Sequence, residues 1–219
     1  MRKILVLGFL LISVLSLAAS CADTTSHSKG VYMLLDSSGT YSQELKSAQA
    51  IVNYLLGTLE PGDSFGIAKI DSGSFSEKDI IAKMTFDKRP SMTNRQKRLF
   101  KQQVDTFVSS FGKGSSYTDI TGGILQAAEY LSETGAGEKY ILIFSDLKED
   151  LKRDQVRDFP VNVSGCSVVA LNVTKLRSDN VDPREYYGRV ERWRERVEAG
   201  GGRWRVINDL NRLDAILGS

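Results

Sequence analysis

Histidine is almost missing from this sequence: 219 residues contain one, His27, in a run of small polar residues near the N-terminus. That leaves histidine-based triads and histidine metal sites with nothing to work with in the body of the chain. Cysteine is nearly as scarce, with only Cys21 and Cys166, so neither a disulfide framework nor a thiolate metal site can be built. The formal charge is +2, too close to balance for bulk charge to point to nucleic acid or to an acidic partner. The long apolar run from Ile4 to Leu17 is too short to span a membrane comfortably. Internal repeats are absent, and 219 residues allow one full domain around a single core.

The first thirty residues are set apart from that domain. Arg2-Lys3 precede the apolar run, and Ala18-Ala19-Ser20 follow it, which is the layout of an export signal over residues 1–20. Leu17-Ala18-Ala19-Ser20-Cys21 resembles the lipobox of bacterial lipoproteins, departing from it mildly at Ala18, where leucine is more usual. The resemblance implies lipidation of Cys21 and a membrane-anchored, extracytoplasmic place in the bacterial envelope. Ala22, standing where aspartate would signal retention, points to the outer membrane and its periplasmic face. An ordinary cleaved signal with an incidental cysteine is the alternative. Residues 21–29 then read as the lipidated cysteine and a polar tether reaching roughly 25–30 Å, with the folded domain over 30–219. Cys166 heads a buried-looking strand and reads as an inert core thiol.

Within the domain, Val31-Tyr32-Met33-Leu34-Leu35 is a continuous apolar run, the mark of a strand covered on both faces. Leu45, Ala48, Val52, Leu55, Leu56 and Leu59 recur at helical spacing until Glu60-Pro61-Gly62-Asp63. Phe65–Ile70 reads as a second strand and Ile80–Phe86 as a third, joined through a short link that fits an edge hairpin. Lys88, Arg89, Arg95, Lys97, Arg98 and Lys101 lead into Phe100, Val104, Phe107, Val108 and Phe111: an amphipathic helix with a solvated basic face, or one that meets anionic lipid head groups. Tyr117–Thr121 opens another helix, Lys139–Phe144 is a strand, and Ser167–Val173 repeats that pattern. Tyr186, Val190, Trp193 and Val197 form the core stripe of a charged helix whose arginines can pair with Glu185, Glu191, Glu195 and Glu198. Gly200-Gly201-Gly202 stops it, Trp204–Ile207 is a short strand, and Asp209–Leu217 is expected to be a final helix. Strands alternating with helices predict an α/β fold with a doubly wound, mostly parallel sheet.

In such sheets ligands bind outside the carboxyl ends of the strands. The first strand runs into Asp36-Ser37-Ser38-Gly39-Thr40, Thr118 lies where a helix opens, and Asp146 ends a later strand. Two carboxylates and three hydroxyls would then converge without a histidine or lysine between them. Like charges so placed call for a divalent cation, and all-oxygen donors suit a hard one.

Asp36-Ser37-Ser38-Gly39-Thr40 resembles the Asp-x-Ser-x-Ser motif of von Willebrand factor type A domains. Thr118-Asp119-Ile120, with Gly123-Ile124 and Ala127-Ala128 behind it, is similar to their second segment, and Phe144-Ser145-Asp146 to the third. The resemblance runs from about Gly30 to the C-terminus. It implies a metal-ion-dependent adhesion site with Asp36, Ser38, Thr40, Thr118 and Asp146 around Mg²⁺, Mn²⁺ or, failing those, Ca²⁺. One coordination position would accept an acidic side chain from a protein partner, so the implied activity is binding rather than catalysis. Thr40 stands where serine is usual and keeps the hydroxyl; Leu147 stands where many members have glycine and is expected to narrow the space beside the metal.

Two other readings are open. A phosphohydrolase of the haloacid-dehalogenase kind would share the first aspartate and the later strand-end aspartate. It would need a second aspartate where Ser38 stands, and a matching lysine. A structural envelope protein with a non-functional site would share everything but the metal. Asn162-Val163-Ser164 and Asn172-Val173-Thr174 are formal glycosylation sequons and read as coincidental, the second because Asn172 falls in an expected buried strand.

Overall fold

The structure is a computed structural model; it describes residues 27–217 except 39, 40, 42, 43, 113, 154, 210 and 212. The export signal, Cys21 and Thr40 therefore lie outside the described residues.

Strand β1 (Lys29–Asp36) is the centre of the molecule. Helix α1 (Leu45–Thr58) follows, then β2 (Ser64–Ile70), β3 (Ile80–Thr85), α2 (Pro90–Ser110), α3 (Ile120–Glu133), β4 (Glu138–Phe144), β5 (Cys166–Leu171), α4 (Pro183–Ala199) and β6 (Arg203–Ile207). These strands form one sheet in the order β3-β2-β1-β4-β5-β6. All neighbours run parallel except β3, which returns antiparallel to β2 at the edge. This is the expected α/β architecture. The order reverses at β1, which has β2 on one side and β4 on the other, so the switch-point crevice opens at the carboxyl ends of β1 and β4.

Strand side chains alternate between faces, and β1 shows why its apolar run is unbroken. Val31, Met33 and Leu35 pack with Ile51, Leu55, Phe100 and Val104 of α1 and α2. Tyr32 and Leu34 pack with Ile124, Leu131, Trp193 and Val197 of α3 and α4. Helix starts follow local chemistry: Asp119 caps α3 by accepting from Gly122 N–H, and Asp182 caps α4 by accepting from Arg184 N–H just ahead of Pro183.

Four expectations change. Lys29, assigned to the tether, already belongs to β1 and donates its N–H to Asp63 Oδ1 at 2.7 Å. Strand β5 stops at Leu171, because Asn172 turns into the left-handed region at φ 52°; Asn172 is thus past the strand rather than buried within it. In place of a helix over Asp209–Leu217, the described residues show a single 3₁₀ turn, Leu213–Ala215. Its neighbouring carbonyls are taken by side chains from the sheet: Arg205 donates to Ala215 O and Ile216 O, and Tyr140 Oη to Leu217 O. Finally, among the described residues Arg194 alone pairs along α4 as expected, with Glu191 and Glu198. Arg189 and Arg196 reach off the helix to Asp179 and Glu149. None of the described helices is long and apolar enough to cross a membrane.

Candidate functional site

The register of β1 against β4 pairs Leu35 with Phe144, so the next residues, Asp36 and Ser145, meet across the strand ends. Ser145 Oγ donates to Asp36 Oδ2 at 2.6 Å, and Ser38 N–H donates to Asp36 Oδ1 at 2.8 Å. Ser37 pins the loop to β2 through its Oγ, which donates to Ile70 O at 2.7 Å. Ser115 N–H donates to Ser37 O, drawing the segment before α3 onto this loop. The same segment is tied to the chain beyond β4, because Thr118 and Asp150 exchange both backbone hydrogen bonds at 2.7 and 2.9 Å. Asp36, Ser38, Thr118 and Asp146 are thus gathered at one end of the sheet.

Asp36 is fully buried and Asp146 is 4% exposed. Burial pushes the Asp36 carboxyl up, and the bonds from Ser145 and Ser38 pull it partly back. For Asp146, burial raises the carboxyl to about 6; the Lys148 N–H opposes the rise and the charge of Asp36 adds to it. Asp146 Oδ1 accepts from Lys148 N–H at 2.8 Å. Neither carboxylate forms an ion pair among the described residues. Two buried carboxylates that repel each other, with hydroxyls beside them, are a donor set that a hard divalent cation fits. The described residues hold no group of three or more His, Cys, Asp and Glu, so a zinc-type ligand set is not on offer there. Asp71, at the end of β2, is satisfied differently: Lys69 Nζ lies 2.6 Å from its Oδ2.

Leu147 does not crowd this crevice. Its side chain is 1% exposed and packs in the core with Ile120, Ile124 and Trp193. Asp119, beside Thr118, is buried and pairs with Arg157 at 2.8 Å as well as capping α3. Sequence reasoning passed over two contributors. Ser145 was seen only as part of a motif, although its hydroxyl bridges the two strand ends. Arg189 is one of the arginines expected to pair with glutamates along its helix, yet it lies inside and donates from Nε to Asp146 O at 3.1 Å. Its spacing was the available signal: three residues after Tyr186 and four before Trp193, it falls on the apolar face of α4.

No family model matches the sequence, and no curated protein matches it. Solved structures do resemble the fold. A von Willebrand factor type A protein from Catenulispora acidiphila superposes with a TM-score of 0.58 at 13% identity, over 86% of this chain and 40% of that one. The pilus adhesin SpaC from Lactobacillus rhamnosus GG, in its open conformation, gives 0.54 at 12% identity, over 87% of this chain and 29% of that one. A D319A mutant of the minor pilin PilB from Streptococcus sanguinis gives 0.50 at 11% identity, over 86% and 59% respectively. The chain thus spans less than two thirds of each of these proteins. Its fold is of the von Willebrand factor type A kind.

Proposed function

We propose that this chain is a membrane-anchored, extracytoplasmic binding domain of the von Willebrand factor A type. It takes a protein partner through a divalent cation, Mg²⁺ or Mn²⁺, held by Asp36, Ser38, Thr40, Thr118 and Asp146. One coordination position receives an acidic side chain of the partner, and Cys21 carries the lipid anchor. The observation that carries this reading is the pair of buried carboxylates, Asp36 and Asp146, at the ends of adjacent strands without an ion-pair partner among the described residues. Leaving both charged without a cation is costly. The pilus adhesin and minor pilin among the similar structures are in keeping with a binding role at a cell surface.

Thermal unfolding of the full chain in detergent, with chelator, Mg²⁺ or Mn²⁺, tests the site. A cation that binds only the folded state stabilises it by about 2.7 kcal/mol at a hundredfold excess over its dissociation constant. The wild type is expected to melt several degrees higher with Mn²⁺ than with chelator. Asp36→Asn and Asp146→Asn, which keep the local shape, are expected to lose that difference. An equal melting temperature for the wild type in chelator and in millimolar Mn²⁺ would sink the proposal.

A further inference from the structure

The turn that aims Asp146 is strained, and α4 holds it. Leu147 adopts φ 64°, a left-handed backbone that disfavours residues with a β-carbon. Such a conformation persists only where its surroundings over-determine it. Here Leu147 N–H donates to Ser145 Oγ at 3.0 Å, and its side chain is locked in the core. Two donors on one face of α4 take the carbonyls on either side of the strained residue. Arg189 Nε donates to Asp146 O, and Trp193 Nε1 donates to Leu147 O, each at 3.1 Å.

Arg189 is itself fixed. Its Nη1 and Nη2 donate to Asp179 Oδ1 and Oδ2 at 2.8 Å each, with the two side chains 7% and 0% exposed. Asp179 sits in the 3₁₀ turn Ser178–Asn180 and also accepts from Leu176 N–H at 2.7 Å. A bidentate buried pair of this kind has little freedom to move. Both terminal nitrogens of the guanidinium donate to Asp179, and the third nitrogen, Nε, donates to a carbonyl. Arg189 therefore anchors the main chain beside Asp146 without pairing with its carboxylate. The left-handed turn at Leu147 brings Lys148 N–H back to Asp146 Oδ1, so the direction of the carboxylate follows from the turn that α4 grips.

We infer that Arg189 and Trp193 are positioning residues for the Asp146 carboxylate, coupling the seating of α4 to cation affinity. This rests on the cation reading above. Removal of comparable outer partners of metal ligands weakens binding by roughly 10–100-fold. Two variants isolate the effect in the full chain in detergent. Trp193→Phe keeps a smaller aromatic ring in the core and deletes the indole N–H. Arg189→Met combined with Asp179→Asn removes both charges together, so no buried carboxylate is stranded. Mn²⁺ dissociation constants come from electron paramagnetic resonance of the free ion, and folding is checked by melting in chelator. Each folded variant is expected to bind Mn²⁺ about tenfold more weakly than the wild type. A packing role alone would lower the melting temperature in chelator and leave the dissociation constant where it was. Folded variants within twofold of the wild type would overturn the inference while leaving the cation site intact; Trp193→Phe decides the matter should the double variant not fold. A wild type that binds no Mn²⁺ would overturn the cation reading itself, and this inference with it.

Discussion

Below about pH 6 Asp146 carries a proton, which the proposed cation would have to displace. Its folded carboxyl is raised by burial to about 6 from an ordinary 3.8, so the folded state binds the proton more tightly than the unfolded one. The sign follows from that difference: the group's contribution is fully present below about pH 4 and is lost as pH rises through about 6. At 1.36 kcal/mol per pKa unit, the loss from this one group is on the order of 2–3 kcal/mol by pH 7. Asp146→Asn has no charge to bury. In chelator at pH 7.5 it is expected to be more stable than the wild type by about 2 kcal/mol, with the gap closing at pH 4. Urea unfolding of both proteins at the two pH values measures this, and a wild type that matches the variant at pH 7.5 would rule it out. On the proposed cation reading the ion competes with the same proton, so Mn²⁺ affinity is expected to fall as the pH drops from about 7 to about 5.

At the scale of elements, legibility tracked burial. Strands β1 and β4 were readable because helices cover both faces, which forces an unbroken apolar run that ends where the polar crevice begins. The ligand-like residues Asp36 and Asp146 stood out as the abrupt end of those runs. The bond from Ser145 to Asp36 was not readable, since it depends on the register between strands far apart in sequence. The last segment misled for a related reason. Its apolar spacing is real, and Ile216 and Leu217 are buried, but long-range bonds from Arg205 and Tyr140 fix the carbonyls of 215–217 against the sheet, and the sequence carries no local sign of them. The triple glycine after α4 was readable as a stop, though the structure gives it a second duty. A β-carbon on Gly200 would lie 1.8 Å from Val161 O, a backbone atom that cannot swing aside. Gly200→Ala is therefore expected to destabilise the fold by roughly 2–3 kcal/mol, measured as a lower urea midpoint with an unchanged slope.

For the whole molecule, Cys21 is the residue whose removal should change where the chain is found. Expressed with its first 20 residues in a bacterium that processes lipoproteins, the wild type is expected to incorporate labelled palmitate and partition into detergent. Cys21→Ser is expected to do neither. Palmitate incorporation into Cys21→Ser equal to that of the wild type would exclude the anchor. Strand β1 adds a consequence of its own, because it enters at Lys29 and leaves at Asp36. Its eight residues span roughly 25 Å at about 3.3 Å each. The entry end is closed by Lys29 N–H on Asp63 and by Gly137 N–H on Ser28 O. Gly62 N–H bonds Phe86 O at the same end, where Lys88 lies against Gly62. The molecule thus has two poles. On the proposed anchoring through Cys21, the pole of Lys29 and Lys88 is expected to lie nearer the anchor and the crevice of Asp36 and Asp146 farther from it, since the two sit at opposite ends of β1.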